Sequence, residues 1–273
     1  MGRDVDIIGL IRIRNESLIL QDILDHLSTY VDGIVVLDDS SVDNSPEIAS
    51  AHQKVLEVLK KDKWDEFNRE IEETKDRQKL LEVARKYDPT WIFYADADER
   101  FEGNIREFLI TERFSNIDGI RISLFDSYMT ISDHLPYKQG QELYNFRKYF
   151  GPEKREVLMI WRNKPEVRFE GLNKREPMIR GRVITRFYCQ HYGKSLSIDH
   201  WNETCDYYIK YFNKYSKKWM NRKGKAIHRK SDFGRPLYNW NDVKKNSILI
   251  YRYQTPNLFY KIKDKINSFL LKS

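Results

Sequence analysis

The stretch Trp91-Ile92-Phe93-Tyr94-Ala95-Asp96-Ala97-Asp98-Glu99 passes from five apolar or aromatic residues directly into three acids within four positions. Its apolar part reads as a short strand buried on both faces. Asp96 and Asp98 are separated by one small residue, and carboxylates so close stay ionised together only beside a cation. Oxygen ligands from one or two carboxylates, completed by substrate phosphates, suit Mg²⁺ or Mn²⁺. Such an ion would neutralise a departing diphosphate. The plain alternative is a solvated acidic turn, so the surroundings decide.

Working outward, the first hundred residues alternate strand and helix signals. Residues 5–13 are nearly continuous in apolar character, and Asn15, Glu16 and Ser17 interrupt them. Leu18, Ile19, Ile23, Leu24 and Leu27 then recur at helical spacing. Residues 33–37 read as a second strand that stops at Asp38-Asp39, and residues 55–59 as a third. Ser45, Pro46 and Glu47 look like a helix start, with Ser41, Asp43 and Ser45 as capping candidates. Residues 69–86 read as a helix with Ile71, Leu80, Leu81, Val83 and Ala84 as apolar positions, broken by Asp88 and Pro89.

Strands alternating with helices imply parallel pairing through right-handed crossovers. Sheets of that kind bind ligands beyond the carboxyl ends of their strands. That rule brings Arg14-Asn15-Glu16, Asp38-Asp39 and Asp96-Ala97-Asp98-Glu99 to one edge. An Asp at the second position can accept a hydrogen bond from a nucleobase or ribose hydroxyl.

Together these segments resemble glycosyltransferase family 2, the inverting nucleotide-sugar enzymes of GT-A fold. Residues 38–45 are similar to the family's DDxSxDxS/T turn, Asp96 to Glu99 to its DxD motif, and Arg14-Asn15-Glu16 to its [KR]NE segment. Arg77 falls near its aRN position on the helix before the DxD strand. The resemblance covers roughly residues 5 to 105. It implies an α/β, GT-A-type, open and mostly parallel twisted sheet flanked by helices, with a Rossmann-like nucleotide-binding half. It further implies Mn²⁺ or Mg²⁺, a nucleotide-diphosphate sugar donor, and a glycan or lipid-linked glycan acceptor; no nucleic acid is expected. Arg14, Asn15, Glu16, Asp39, Arg77 and Asp96 would bind the donor. Asp98 would hold the metal, with Asp96 and His191 as further ligands. Ser40 replaces the family's commoner Gly, which is tolerated if φ stays below zero there.

Beyond residue 119 the pattern is mostly β, with strand candidates at 120–125, 157–161 and 183–189 and a long loop at 132–152. Phe169-Glu170-Gly171 followed by Arg175-Glu176-Pro177 resembles the W-x-G-x-x-H-E-x-P segment of one family branch. Phe169 stands where Trp is usual and Arg175 where His is usual. Gln190-His191-Tyr192-Gly193 resembles the HYG that follows. An inverting transfer needs a general base across the donor from the metal, and Glu176 is the candidate, with Glu142 and Asp133 as alternatives. Arg147, Lys148, Arg155 and Arg162 are candidates for phosphate or acceptor contacts, the arginines 147 and 162 ranking first as bidentate partners.

The chain has 273 residues, of which 40% are hydrophobic, 14% aromatic and 33% charged, a globular composition rather than a disordered one. No apolar run approaches the roughly 18 residues that span a bilayer, and no signal-peptide stretch is visible, so a cytoplasmic protein is expected. Two cysteines, Cys189 and Cys205, exclude a disulfide framework and a four-cysteine zinc site. The net charge of +7 is uneven: residues 201–273 hold 17 Lys and Arg against 5 Asp and Glu, leaving the first 200 residues acidic. The expected organisation is a catalytic domain at 1–200, split into a donor half (1–105) and an acceptor half (106–200), and a helical basic extension at 201–273. Trp201, Tyr207, Tyr208, Tyr211 and Phe212 read as core contacts. Leu258, Phe259, Ile262, Ile266, Phe269 and Leu270 fall at helical spacing among lysines, a pattern that can dock on the inner, anionic face of a membrane or on the protein itself.

Two other readings compete. A nucleotidyltransferase would share the sheet, but no Gly-rich phosphate loop follows the first strand. A basic membrane- or nucleic-acid-binding protein on a degenerate transferase scaffold would not need intact Asp39, Asp96 and Asp98.

Overall fold

A computed structural model describes residues 6–212 and 216–250. Strands β1 (Ile7–Ile13), β2 (Gly33–Asp38), β3 (Val55–Lys60) and β4 (Trp91–Ala95) form a parallel group in the order β3-β2-β1-β4. Helices α1 (Leu20–Ser28), α2 (Ser45–Ala51) and α3 (Arg69–Arg85) are the crossovers. Side chains alternate between two cores, as a strand's period of two dictates. Ile7, Ile11, Val36 and Phe93 pack with Leu20, Ile23 and Leu24 of α1, whereas Ile8, Leu10, Val35 and Ile92 pack with Leu80, Leu81 and Ala84 of α3.

The register fixes where the strands stop. Ile13 pairs with Asp38, Asp38 with Lys60, and Ile11 with Ala95. Arg14, Asp39, Lys61 and Asp96, each one residue beyond its strand, therefore emerge at one sheet edge.

The second half extends this sheet. After β5 (Glu99–Glu102) and α4 (Ile105–Thr111) come the long strands β6 (Ile117–Tyr128), β7 (Tyr149–Arg162) and β8 (Arg182–His191). β7 runs antiparallel to both β4 and β6, β8 parallel to β6, and β5 antiparallel to β8. The result is an α/β fold on one sheet flanked by helices, whose parallel half matches expectation and whose second half is mixed. Antiparallel neighbours need no helical crossover, so that half carries no helix-period signal. The long loop ends earlier than its Gly and Pro content suggests, since Gly151 and Pro152 lie within β7. Ile71 is largely exposed. The first half of α3 instead buries Arg69, Glu73, Asp76 and Arg77, and only its second half is apolar.

Beyond β8 lie α5 (Ile198–Tyr211), α6 (Ser216–Met220), α7 (Trp240–Lys245) and the short β9 (Ile248–Leu249), which pairs with β7. Among the described residues no helix is long and apolar enough to cross a membrane. The amphipathic segment expected at 258–270 lies outside them. Cys189 and Cys205 are buried free thiols.

His26, in the last turn of α1, ties that helix to the strand leaving the acidic turn. Its Nε2 accepts from the Phe101 amide at 2.7 Å, and its ring stacks on Phe101 and Tyr144. Burial and the charge of Arg100 push its pKa down from 6.5 to about 3. The unfolded chain therefore binds a proton that the folded one refuses, and stability falls as pH drops from 6.5 towards about 3. In urea titrations across that range, His26→Gln, which keeps an acceptor but cannot titrate, should flatten the loss. An unchanged pH slope would refute this role.

Candidate active site

The loops after β1 and β2 are laced together before any ligand is considered. Three successive amides of the first loop donate to the second: Asn15 N to Ser41 Oγ (2.9 Å), Glu16 N to Ser45 Oγ (2.8 Å) and Ser17 N to Asp43 Oδ2 (3.1 Å). Val42 N returns a bond to Asn15 Oδ1 at 2.8 Å. Ser41, Asp43 and Ser45 thus satisfy the neighbouring loop, and the N-cap residue of α2, Asn44, makes no side-chain cap bond. Ser40 sits at φ +58°, contrary to the expectation of a negative φ, and its hydroxyl donates to the Lys61 carbonyl at 2.8 Å. That bond helps hold a backbone conformation a non-glycine residue adopts at some cost.

The acidic turn after β4 is folded around arginines. Arg175 reaches Asp96 Oδ2 at 3.2 Å and also binds Glu99. Glu99 Oε2 accepts from the Asp96 amide at 2.9 Å, which closes the turn. Arg100 is fully buried and donates to the carbonyls of Ala97 (2.9 Å) and Glu99 (2.7 Å) while pairing with Asp22 of α1. Burial alone would raise the Asp96 carboxyl, but Arg175, Arg77 and Arg12 outweigh it and hold it at about 2.

Asp98 faces the other way. Its Oδ2 lies 3.3 Å from His191 Nε2, and His191 Nδ1 lies 2.7 Å from Asp126 Oδ1. The sheet arranges this: His191 is opposite Glu99 in the β5–β8 pairing and beside Asp126 in the β6–β8 pairing. Asp126 is held by Arg155 and by Lys194 (2.9 Å), and Lys194 and Arg222 both bind Asp232 at 2.7 Å. Burial would lower the His191 pKa, but Asp98 and Asp126 raise it to about 9, so the ring bridges two carboxylates as an imidazolium.

Among the described residues no three His, Cys, Asp or Glu side chains form a group able to hold a metal unaided. The donor set nevertheless fits an ion that shares its shell with a ligand. A carboxylate and an imidazole nitrogen 3.3 Å apart are close to the roughly 3 Å spacing of adjacent ligands around a small octahedral ion. The Asp126–His191 bond is the usual support of a ligating imidazole. Gly193 completes the cradle, because a Cβ there would lie 2.4 Å from Asp98 Oδ2 and 3.1 Å from His191 Nε2. Glu16 registers the local crowding of acids: burial, then Asp98 and Asp96, push its pKa up to about 8, towards its neutral form.

The other expected site residues fall in different places. Asp39 is 0% exposed and pairs with Arg12 (3.0 Å), Lys61 (3.1 Å) and Arg69 (2.6 Å). Arg77 is buried behind Asp96, donating to Tyr94 Oη and the Glu73 carbonyl, both at 3.1 Å. The Arg14 guanidinium carbon lies over Trp64, 3.8 Å from the ring centre. Glu176 Oε2 accepts from Arg121 at 2.9 Å. Arg147 and Arg162 are structural: Arg147 binds Asp133 and the carbonyls of Leu135, Ser195 and Leu196, and Arg162 the carbonyls of Glu112, Arg113, Ser115 and Ile117. Arg12, Arg69, Asp126, Lys194 and Trp64 escaped sequence reasoning. Only Arg12 had a visible signal, a charge inside an otherwise apolar strand.

No known family profile and no curated protein matches the chain. Solved structures of glucosyl-3-phosphoglycerate synthase from Mycobacterium tuberculosis are similar to part of it. The complex with Mn²⁺, UDP and glucosyl-3-phosphoglycerate is 17% identical over 45% of this chain and 44% of that one, at a TM-score of 0.31. The complex with Mn²⁺ and UDP-glucose and that with Mg²⁺ and UDP are each 16% identical over the same shares, also at 0.31. The similarity spans less than half of the synthase.

The Gly193 contacts give a sharp test. Gly193→Ala should force the Asp98 carboxylate off His191 and weaken Mn²⁺ binding at least about tenfold, as loss of support around a metal ligand commonly does. Calorimetric titration with Mn²⁺ measures it, and unchanged affinity would exclude this cradle.

Proposed function

We propose that the protein is a metal-dependent glycosyltransferase that uses a nucleotide-diphosphate sugar. The observation that carries this reading is the Asp98–His191 pair, backed by Asp126 and placed where the parallel strands end. Mn²⁺ or Mg²⁺ bound there would supply Lewis-acid neutralisation of the leaving diphosphate. Asp98 and His191 would be its protein ligands.

The chain's own residues then have distinct tasks. Asp126, fixed by Arg155 and Lys194, keeps His191 oriented through Nδ1. Asp96, ionised beside Arg175, can accept a hydrogen bond from a ribose hydroxyl. Arg14 and Asn15 lie on the base side, and Glu16 and Asp98 on the diphosphate side. Asp39 shapes that pocket through the arginines it anchors, and Arg77 acts behind Asp96.

For an inverting transfer to a glycan or lipid-linked glycan, Glu176 is our choice of general base. It follows Arg175 directly, and Arg121 holds its carboxylate at 2.9 Å.

Thermal shifts with UDP, GDP, dTDP and CMP, with and without Mn²⁺, test the donor half. One nucleotide should raise the melting temperature by roughly 5 °C at saturating concentration, only with metal, and Asp98→Ala should abolish the rise. No stabilisation by any of them would overturn the proposal. For the base, Glu176→Gln should cut turnover by about 100-fold or more while the nucleotide shift persists. Near-normal turnover would assign proton removal elsewhere.

A further inference from the structure

The connection between β3 and α3, residues 61–68, places Trp64 between Arg14 after β1, Arg69 of α3 and Tyr211 of α5. One side of the indole is covered by Arg14, whose guanidinium carbon is 3.8 Å from the ring centre. Arg69 stands 5.0 Å from the same centre. Tyr211 of α5 meets the ring edge-on at 4.6 Å, with Tyr207 tilted at 6.5 Å. α5 therefore acts partly as a roof over this position, which the reading of its tyrosines as plain core contacts did not anticipate.

The same place carries a concentration of unmet hydrogen-bond donors. Arg12 Nε, Arg14 Nε, Arg69 Nε and Trp64 Nε1 are all buried, and among the described residues none has an acceptor. Buried donors are nearly always paired, so four together at one strand-end cluster require an explanation. Indole cannot supply it: its ring has one N–H and no acceptor. A planar ring bearing carbonyl or ring-nitrogen acceptors could stack on the same Arg14 guanidinium in place of the indole, remove the unpaired Trp64 N–H from the slot, and offer acceptors at its edge to the neighbouring arginines. Nucleobases are rings of that kind.

We infer that Trp64 is a built-in occupant of the nucleobase subsite, and that the base of the donor must displace it from Arg14. The inference rests on the nucleotide-sugar reading above and adds to it the residue that sets nucleotide affinity. Beyond Lys61, which Asp39 and Asp76 hold, the strap's contacts are local or exposed: Asp65 accepts from the Phe67 and Asn68 amides, Phe67 is exposed, and the Lys210–Glu66 pair, at 3.5 Å, joins two exposed side chains. Displacement reduces the apparent affinity by the fraction of molecules in which the slot is open. Removing the indole removes that competition.

UDP, GDP and dTDP with Mn²⁺, titrated into the full chain by calorimetry, provide the test. The diphosphate that binds the wild type should bind Trp64→Ala at least about fivefold tighter. Equal or weaker binding would overturn the inference while leaving the donor reading intact, whereas no binding to the wild type would remove both. Acrylamide quenching decides the case independently if Trp64→Ala folds poorly. Adding the diphosphate should increase quenching in the wild type and leave Trp64→Phe unaffected; no increase in the wild type refutes displacement.

Discussion

The interaction on which the site depends is the buried contact of Arg175 with Asp96 and Glu99. Parallel strands that end in acids place like charges side by side at the rim of a low-dielectric core. Charges so placed are tolerated only when paired and hydrogen-bonded. Arg175 reaches the turn from the segment after β7, so it adds a side-chain tie between the two halves of the sheet to the β4–β7 pairing. Arg100 completes the support by holding the turn's carbonyls against α1.

The remaining charges follow the same rule with one exception. Asp39 has Arg12, Lys61 and Arg69; Asp126 has Arg155 and Lys194; Asp232 has Lys194 and Arg222. Glu16 and Asp98 are the exception. Asp98 is paired with the His191 imidazolium rather than with an arginine or lysine, and Glu16 is pushed towards its neutral form by burial and by the neighbouring acids. The Asp39 side of the edge is therefore neutralised by its own cations, whereas Glu16, Asp96 and Asp98 crowd the other side. In the proposed reading a divalent cation would relieve that crowding, and Gly193 leaves space beside Asp98.

The strand ends are also tied to one another. The amides of residues 15–17 are fixed by three side chains of the second loop. In the 61–68 connection Lys61 is held by Asp39, Glu72 and Asp76, Asp65 accepts from the Phe67 and Asn68 amides, and Trp64 packs between Arg14 and Tyr211.

The sequence by itself determined the parallel half and the identity of its edge. Apolar runs of strand length, interrupted by polar clusters, specify four strands with their acids at one end, because local period and topology rules act over short separations. Asp98 and His191 were both named from their motifs, and the structure brings them together. Which acids would be sealed and which left open was decided only by tertiary structure. Asp39 disappears under three cations from β1, the β3–α3 connection and α3, and Arg175 reaches Asp96 from beyond β7. Burial and charge balance depend on neighbours distant in the chain, and no window of sequence contains them.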